Sequence, residues 1–150
     1  MDMQQQQDPY PVAIALLARR EHSARELERK LRDRGFAGEE IGGCIARLQQ
    51  ERLQSDARYA ESYVHMRAGK GYGPLRIRVE LAERGVADEF IAPPLDGMDG
   101  QWQALAEEAR RKRFGSKLPG EFQERARQAR FLQYRGFATE HFRNVFSSDE

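Results

Sequence analysis

The stretches LRDRGFAGE (31–39), LAERGVADE (81–89) and LQYRGFATE (132–140) share one order of residue types. Their glycines, Gly35, Gly85 and Gly136, are 50 and 51 positions apart. Self-similarity at a fixed spacing of this size is the sequence signature of a repeat protein. We therefore predict that the chain is built from three tandem copies of one structural unit.

Each copy has the residue chemistry of a helix end followed at once by a helix start. Glycine readily adopts the left-handed conformation just past a helix, and the next residue then packs on the residue four positions before the glycine. The predicted apolar contacts are Phe36 with Leu31, Val86 with Leu81, and Phe137 with Leu132. Three positions after each glycine stands a residue permitted at a helix N-cap, and a glutamate follows it. These predicted caps are Gly38, Asp88 and Thr139.

Apolar spacing predicts three helices in each unit. Ser23 and Glu26 have the spacing of a capping box, which places the start of a helix between them. Asp56 is predicted to cap the first helix of the second unit. Cys44 lies at helical spacing among aliphatic residues, so we interpret it as a small core residue.

One segment of the second unit gives conflicting signals. Leu75, Ile77, Val79 and Leu81 alternate with polar residues, as in a strand. Pro74 suits the first position of a helix, and the segment ends at a repeated glycine turn. Because the other two copies also predict a helix here, we assign this segment as a helix.

The predicted fold class is all-α, with three tandem three-helix repeats in an elongated, curved, right-angled or rod-like array. Charged residues make up 33% and hydrophobic residues 39%, which is lean for one deep core. We predict a disordered tail at 1–9 and a first repeat at 10–53. The second repeat is predicted at 54–100, with a linker at 93–100, and the third, basic repeat at 101–150, ending in a short acidic tail.

Several classes of protein are excluded at this stage. No stretch approaches the ~20 apolar residues of a membrane span, and residues 1–7 are polar, without a signal-peptide pattern. A single cysteine cannot form an internal disulfide. We expect a cytoplasmic monomer that does not bind membranes.

The sequence offers no catalytic or metal-binding constellation. His22, His65 and His141 fall in different units, and no pair of them, nor any pair with Cys44, has a metal-ligand spacing. The glycine-rich segment 69–74 lacks the Walker spacing and is not preceded by a strand, so we interpret it as a helix connector. We predict that the protein is not an enzyme and needs no cofactor.

Charge is distributed unevenly along the chain. The net charge is +1, but residues 54–103 hold six basic and eight acidic residues, whereas residues 104–150 hold ten and seven. The last third is therefore the electropositive end, which suggests an acidic or polyanionic partner. A solvated helix face is the alternative interpretation of the same residues.

Four motifs, in the right order, resemble the RecX family of recombination regulators. They are LxxRExSxxELxxKL (17–31), DxRYAE (56–61), GYGPLRI (71–77) and FLxxRGF (131–137). The resemblance covers nearly the whole chain after the glutamine-rich start. Ser55 departs from the family pattern, which usually has an acid before Asp56, and the departure affects a helix cap only.

This resemblance implies a bacterial protein that binds the RecA nucleoprotein filament. Members of the family restrain RecA: they lie in the filament groove and lower its ATPase, strand-exchange and co-protease activities in recombination and the SOS response. They need no cofactor of their own. Contacts spread over adjacent filament subunits would act multivalently.

We expect the basic third unit to meet the acidic or phosphate-lined groove, with a surface that extends into the second unit. An exposed aromatic residue beside a cation, as at Lys70 and Tyr72, suits both protein and nucleic-acid partners. The predicted contact residues are Lys70, Tyr72, Arg76, Arg78, Arg110, Arg111, Lys112, Arg113, Arg130 and Arg135. Two alternatives stay open: a sequence-independent protein that binds single- or double-stranded DNA through the third repeat, and a helical adaptor for another partner.

Overall fold

The computed structural model describes residues 8–146, which form nine α-helices and no strand. The predicted all-α fold is confirmed. Residues 1–7 of the predicted tail and residues 147–150 of the predicted acidic end lie outside the described residues. The helices are α1 (Pro9–Arg19), α2 (Ala24–Asp33), α3 (Gly38–Gln50), α4 (Asp56–Gly69), α5 (Pro74–Glu83), α6 (Asp88–Asp96), α7 (Trp102–Phe114), α8 (Phe122–Tyr134) and α9 (Thr139–Phe142).

Consecutive helices pack in threes, which we call the first unit (α1 to α3), the second unit (α4 to α6) and the third unit (α7 to α9). The first helix already begins inside the segment predicted as a tail. Asp8 accepts a hydrogen bond from Tyr10 N at 2.9 Å and caps α1, and Pro9 is the first helical residue. Proline is favoured there because the first amides of a helix have no intrahelical partner.

The repeated glycine turns have the predicted geometry. Gly35, Gly85 and Gly136 have φ angles of 94°, 81° and 99°, the left-handed region. The amide after each glycine donates to the carbonyl at the predicted leucine, over 3.3 Å to Leu31, 3.1 Å to Leu81 and 3.0 Å to Leu132. The repeat is therefore a run of Schellman-type helix ends.

The predicted helix caps after these turns are wrong by one position. The N-caps are Ala37, Ala87 and Ala138, and no side-chain bond from a capping hydroxyl or carboxylate is formed there. The three residues predicted as caps, Gly38, Asp88 and Thr139, are instead the first residues of α3, α6 and α9. An acid at this position, such as Asp88, still interacts favourably with the positive N-terminal end of the helix dipole.

The start of α4 differs from its prediction in the same way. Ser55 is the N-cap and accepts a hydrogen bond from Arg58 N at 3.1 Å. The carboxylate of Asp56 is engaged elsewhere, because it accepts a hydrogen bond from Ala24 N in the first unit at 2.9 Å. The predicted capping box of α2, between Ser23 and Glu26, is confirmed.

The ambiguous segment of the second unit is a helix, as predicted. Ile77 and Leu81 are fully buried in α5, whereas Leu75 and Val79 are 54% and 56% exposed. The next helix, α6, continues through Pro93 and Pro94 to Asp96, so the first four residues of the predicted linker at 93–100 are helical. Burial of Leu95 at the far end of this helix offsets the amide bonds that the prolines cannot donate.

Buried side chains form two separate hydrophobic cores. The first unit has its own core, which includes Leu27, Leu48 and the buried Cys44, as predicted for that cysteine. The second and third units share one continuous core, in which Leu81 and Phe137 both take part. Between the two cores lies a polar junction: Gln54 Nε2 donates to His22 O at 3.1 Å, and both residues are buried.

The third unit departs from the other two at its second helix. α8 has 13 residues, whereas α2 and α5 have 10 each. The extra turn lies at the N-terminal end of α8 and begins with Phe122, which is 77% exposed.

Candidate partner-binding site

The second and third units meet where the start of α5 abuts the turn between α8 and α9. Gly73 N donates to Arg135 O at 2.8 Å, and Leu75 N donates to Gly136 O at 2.9 Å. A Cβ atom on residue 136 would lie 2.3 Å from Arg76 Cβ, so only glycine allows this approach. Gly136 thus ends helix α8, and the start of α5 in the preceding unit packs directly against it.

Three guanidinium groups surround the ring of Tyr72 at this junction. The Cζ atoms of Arg67, Arg76 and Arg135 lie 3.8, 4.7 and 4.7 Å from the ring centroid. Cations near the face of an aromatic ring are attracted by its quadrupole. Tyr72 therefore gathers positive charge from both units, and the predicted residues Tyr72, Arg76 and Arg135 form one cluster.

One carboxylate orients two of these arginines. Glu80 accepts two hydrogen bonds from Arg67 at 2.9 Å, one from Arg76 at 3.1 Å and one from the Tyr63 hydroxyl at 2.7 Å. Burial raises the pKa of Glu80, but the hydrogen bonds from Arg67, Tyr63 and Arg76 outweigh it and lower the pKa to about 2. Glu80 is therefore charged at neutral pH and holds both guanidinium planes in place.

A cleft of about 180 Å³ opens beside this cluster, between the end of α4, the end of α7 and the turn after α8. Four predicted contact residues line it together: Lys70, Lys112, Arg113 and Arg135. Glu108 is the one carboxylate among its lining residues and pairs with Lys112 at 3.1 Å. The cleft therefore carries an excess of positive charge, and we call it the basic cleft.

Apolar walls and backbone contacts fix the shape of the basic cleft. Leu105, Ala109 and Phe131 form its walls. Arg135 Nη1 donates to Lys70 O at 3.3 Å, and its Cζ lies 5.0 Å from the Phe131 ring centroid. An arginine held this way loses little conformational entropy when it binds an anion.

Arg110 is a predicted contact residue that the structure places elsewhere. Its side chain is fully buried between α7 and α8, where it bonds Glu107 at 3.0 Å and Gln128 at 3.3 Å. Gln128 in turn donates to Glu124 at 2.9 Å. Because successive helix residues turn by ~100°, four consecutive cations cannot share one face, and Arg110 is the one directed inward.

The other predicted residues, Arg78, Arg111 and Arg130, lie outside the basic cleft. Arg111 is 58% exposed and 3.7 Å from Glu107. Arg78 forms an ion pair with Asp88. Arg130 is exposed, and within residues 8–146 it has no carboxylate within ion-pair distance.

Two members of the cluster escape prediction from the sequence. Tyr134 is 77% exposed, and Arg76 Cζ lies 5.4 Å from its ring centroid. Comparison of the three repeats contains a signal for it, because the same position holds Asp33 and Glu83 in the other units. The sequence contains no comparable signal for Arg67. Its role depends on contacts with Tyr72 and Glu80, which become neighbours only in the folded structure.

Residues 8–146 contain neither a membrane-spanning helix nor a metal-binding cluster. No helix in this range has the length and apolar character needed to cross a bilayer. No group of three or more His, Cys, Asp or Glu side chains in the same range could hold a metal ion.

Three domain families match the chain one after another. The family described as RecX, first three-helix domain, matches residues 10–48. The families described as the second and third three-helix domains of RecX match residues 55–92 and 99–146.

Two relatives are similar to this chain over most of their length. A protein of Pseudomonas fluorescens (strain SBW25) named "Regulatory protein RecX" is 47% identical over 135 residues, 90% of this chain and 87% of that protein. A protein of the same name from Stenotrophomonas maltophilia (strain R551-3) is 41% identical over 144 residues, 96% of this chain and 88% of the relative.

Two crystal structures share the fold. RecX from Lactobacillus salivarius superimposes with a TM-score of 0.75 at 23% identity, covering 91% of both chains. A second structure, of regulatory protein RecX, gives a TM-score of 0.79 at 20% identity, covering 91% of this chain and 70% of the other.

Proposed function

The chain belongs to the RecX family of regulatory proteins, and we propose that it binds the RecA–DNA filament groove and inhibits the filament's ATPase, strand-exchange and co-protease activities. Its setting would be homologous recombination and the SOS response. The predicted cytoplasmic location and monomeric state belong to the same proposal.

The observation that supports this function is the convergence of cations in the basic cleft. Lys70 comes from the second unit, whereas Lys112, Arg113 and Arg135 come from the third, yet all four line one cavity. Arginine and lysine bind carboxylates and phosphates, and a nucleoprotein filament presents both groups. The junction between the two units is therefore the proposed centre of contact.

The proposed contact surface differs from the predicted one in three respects. Arg110 is left out, because its buried bonds to Glu107 and Gln128 give it a positioning role within the third unit. Tyr134 is added as an exposed aromatic residue beside Arg76. Arg78 is marginal, because a partner would have to compete with its ion pair to Asp88.

The remaining contacts are arranged around the cleft. Lys70, Tyr72, Arg76, Lys112, Arg113 and Arg135 form the centre, and the exposed Arg111 and Arg130 extend it. A protein that holds two neighbouring filament subunits at once fixes their relative position. Steps that require the subunits to move against each other are then slowed, and such binding is tighter than binding to a single subunit.

The experiment that tests this function measures ATP hydrolysis by RecA filaments preassembled on single-stranded DNA. The protein is added at well below one copy per RecA subunit. Hydrolysis should fall at doses too low to cover the DNA. Undisturbed hydrolysis at these doses would overturn the proposed function.

A pair of double variants tests the place of contact. Lys112→Glu with Arg113→Glu reverses two cations of the basic cleft and should raise the dose needed for inhibition about tenfold or more. Lys117→Glu with Arg125→Glu makes the same charge change in the third unit outside the cleft. Circular dichroism establishes that both variants are folded. Equal loss of inhibition in both would show that overall charge matters and the cleft does not.

A second candidate function is sequence-independent binding of DNA. It is favoured by exposed cations that have no ion-pair partner within residues 8–146, among them Arg113, Lys117, Arg125 and Arg130. Phosphate-dominated binding falls steeply with salt concentration, so fluorescence anisotropy with labelled DNA at two salt concentrations measures this contribution. Salt-sensitive DNA binding together with undisturbed RecA hydrolysis would make DNA the primary partner.

A further inference from the structure

We propose that the junction of the first and second units is a second partner-binding site, in which Arg25, Arg29 and Arg84 receive acidic side chains of a protein partner. The inference rests on the proposed function, since the partner it names is the protein component of the filament. It adds a site in a part of the chain where overall charge gives no indication of one.

The two junctions are built in the same way. At the first, Ser23 Oγ donates to Arg84 O at 2.9 Å, and at the second, Gly73 N donates to Arg135 O at 2.8 Å. Ser23 and Gly73 are the N-caps of α2 and α5, and Arg84 and Arg135 each precede a repeated glycine. The same repeat positions therefore meet at both junctions.

An arginine of the preceding unit covers the glycine at each junction. A Cβ atom on residue 85 would lie 2.3 Å from Arg25 Cδ, just as one on residue 136 would lie 2.3 Å from Arg76 Cβ. Because the glycine is preceded by Arg84 or Arg135, each junction brings guanidinium groups of two units together. Each junction thus brings the arginine before the repeated glycine close to an arginine of the preceding unit, although Arg25 and Arg76 do not hold the same position in their repeats.

Arg84 is held in place as firmly as its counterpart Arg135. Arg84 Nη1 donates to Glu80 O at 2.9 Å, and its Cζ lies 4.9 Å from the Tyr63 ring centroid. Arg135 likewise donates to a backbone carbonyl and lies 4.7 Å from the Tyr72 ring centroid. Both guanidinium groups keep further N–H donors for a ligand.

A cleft of about 270 Å³ at the first junction is lined by Arg25, Arg29, Arg84, Glu26 and Glu83. Glu26 is already engaged, because it accepts hydrogen bonds from Arg20 and from Ser23 N. Within residues 8–146 none of the three arginines has a carboxylate within ion-pair distance. The cleft therefore offers three guanidinium groups whose charge is not neutralised by a direct partner.

The mixture of charges in this cleft selects the kind of partner. A phosphate backbone carries a negative charge at every nucleotide and would be repelled by Glu26 and Glu83. Separate carboxylates on a protein surface can approach Arg25, Arg29 and Arg84 individually, and each guanidinium fork matches a carboxylate. We therefore assign the site to an acidic protein face.

Two sites at successive junctions of the same chain suit a partner that is itself periodic. Once the basic cleft is bound to one filament subunit, the second site is held close to a neighbouring subunit, which raises its effective concentration there. Loss of either site should therefore weaken binding to filaments much more than binding to single subunits.

The test measures binding of the full-length protein to RecA filaments on single-stranded DNA by biolayer interferometry. Arg25→Glu with Arg29→Glu should weaken filament binding about tenfold or more. The matched control is Arg32→Glu with Arg34→Glu, which makes the same charge change on and just after α2 but outside the cleft. The control should change binding less than about twofold, as expected for rim charges away from a contact. Circular dichroism confirms the fold of both.

The outcomes separate this inference from the proposed function. Failure of the wild-type protein to bind filaments would overturn both. Filament binding that is weakened by Lys112→Glu with Arg113→Glu but unchanged by Arg25→Glu with Arg29→Glu would overturn only the second site. A larger loss of naked-DNA binding than of filament binding would reassign the site to nucleic acid and overturn the choice of an acidic protein partner.

Discussion

Asp56 in the second unit caps a helix of the first: its Oδ1 accepts a hydrogen bond from Ala24 N, the first amide of α2, at 2.9 Å. Gln54 reinforces this contact, because its Nε2 donates to Asp56 Oδ1 at 2.9 Å and to His22 O at 3.1 Å. A cap supplied by another unit satisfies an amide that has no partner within its own helix. The first unit is thus fixed to the second by polar bonds, without a shared core.

Replacement of Asp56 should weaken this junction. We expect Asp56→Ala to lower the free energy of unfolding by about 1–2 kcal/mol, the usual cost of a lost helix cap. Urea denaturation followed by circular dichroism measures the change. Glu61→Ala, which removes an exposed acid from the same helix, is the control and should have little effect. Equal effects of the two substitutions would contradict the role assigned to Asp56.

The buried imidazole of His22 should make the stability of the protein depend on pH. Its Nδ1 lies 3.0 Å from Arg20 O and its Nε2 lies 2.8 Å from Lys30 Nζ. A carbonyl only accepts and an ammonium only donates, so the ring is neutral with its proton on Nδ1. Burial lowers the pKa of His22 below its ordinary value of 6.5, and the charges of Arg20 and Lys30 lower it further.

The sign of the pH effect follows from this lowered pKa. Well above pH 6.5 the imidazole is neutral in both states, and its contribution to stability is complete. As the pH falls below 6.5, the unfolded chain binds a proton more readily, so stability is lost until the pH passes the native pKa. Urea denaturation at pH 7.5 and 5.5 should show this loss, and His22→Gln should reduce it. His65→Gln, at an exposed histidine, should leave the loss unchanged.

Adjacent arginines in α7 should respond differently to truncation. Arg110→Ala removes the buried partner of Glu107 and Gln128 and should cost about 2–4 kcal/mol of stability. Arg111→Ala removes an exposed cation and should cost less than about 0.5 kcal/mol. Chemical denaturation of the two variants checks the difference. A similar small cost for both would show that Arg110 is not an internal structural residue.

The repeated glycines should not tolerate alanine equally. Gly136→Ala adds a Cβ atom 2.3 Å from Arg76 Cβ and should separate the start of α5 from the third unit. Gly35 has a similar φ of 94°, but no non-neighbouring atom of the described residues 8–146 lies within 4 Å of its Cβ position. Gly35→Ala should therefore cost only the about 1–2 kcal/mol of the left-handed conformation, and Gly136→Ala clearly more. Thermal unfolding of both variants provides the comparison, and equal melting temperatures would contradict the packing role.

Local rules predicted the parts of this fold that depend on neighbours in sequence. The glycine turns, the capping box of α2 and the helical assignment of α5 follow from residues only a few positions apart. The caps after the turns are displaced by one residue, because an extended alanine lies between each turn and the next helix. Asp56 was misassigned for another reason: its carboxylate is satisfied by the first unit, and sequence spacing carries no information on such a contact.

The candidate site was predictable only as a region. An excess of basic residues indicates the third unit, and Lys112, Arg113 and Arg135 do meet there in one cleft. The excess of basic residues does not show that Arg110 is buried while its neighbours are exposed, because the burial of each side chain depends on which side of α7 faces α8. A charge count does not reveal Arg25, Arg29 and Arg84 at the first junction. Nearby glutamates balance their charge along the sequence but form no direct ion pair with them in the folded structure of residues 8–146.

The turns at Gly85 and Gly136 each contact the preceding unit, so the two ends of the array differ in how a further unit could be added. The start of α2 packs against the turn at Gly85 and the start of α5 against the turn at Gly136, whereas no atom of residues 8–146 packs against the Cβ position of Gly35. At the opposite end, the additional first turn of α8 alters the helix start that a following unit would have to receive. A fourth unit inserted directly ahead of α1 would therefore meet a turn at Gly35 whose Cβ position no atom of residues 8–146 approaches within 4 Å. The same unit added after α9 would require α8 to be redesigned first, so the protein can be lengthened at one terminus far more easily than at the other.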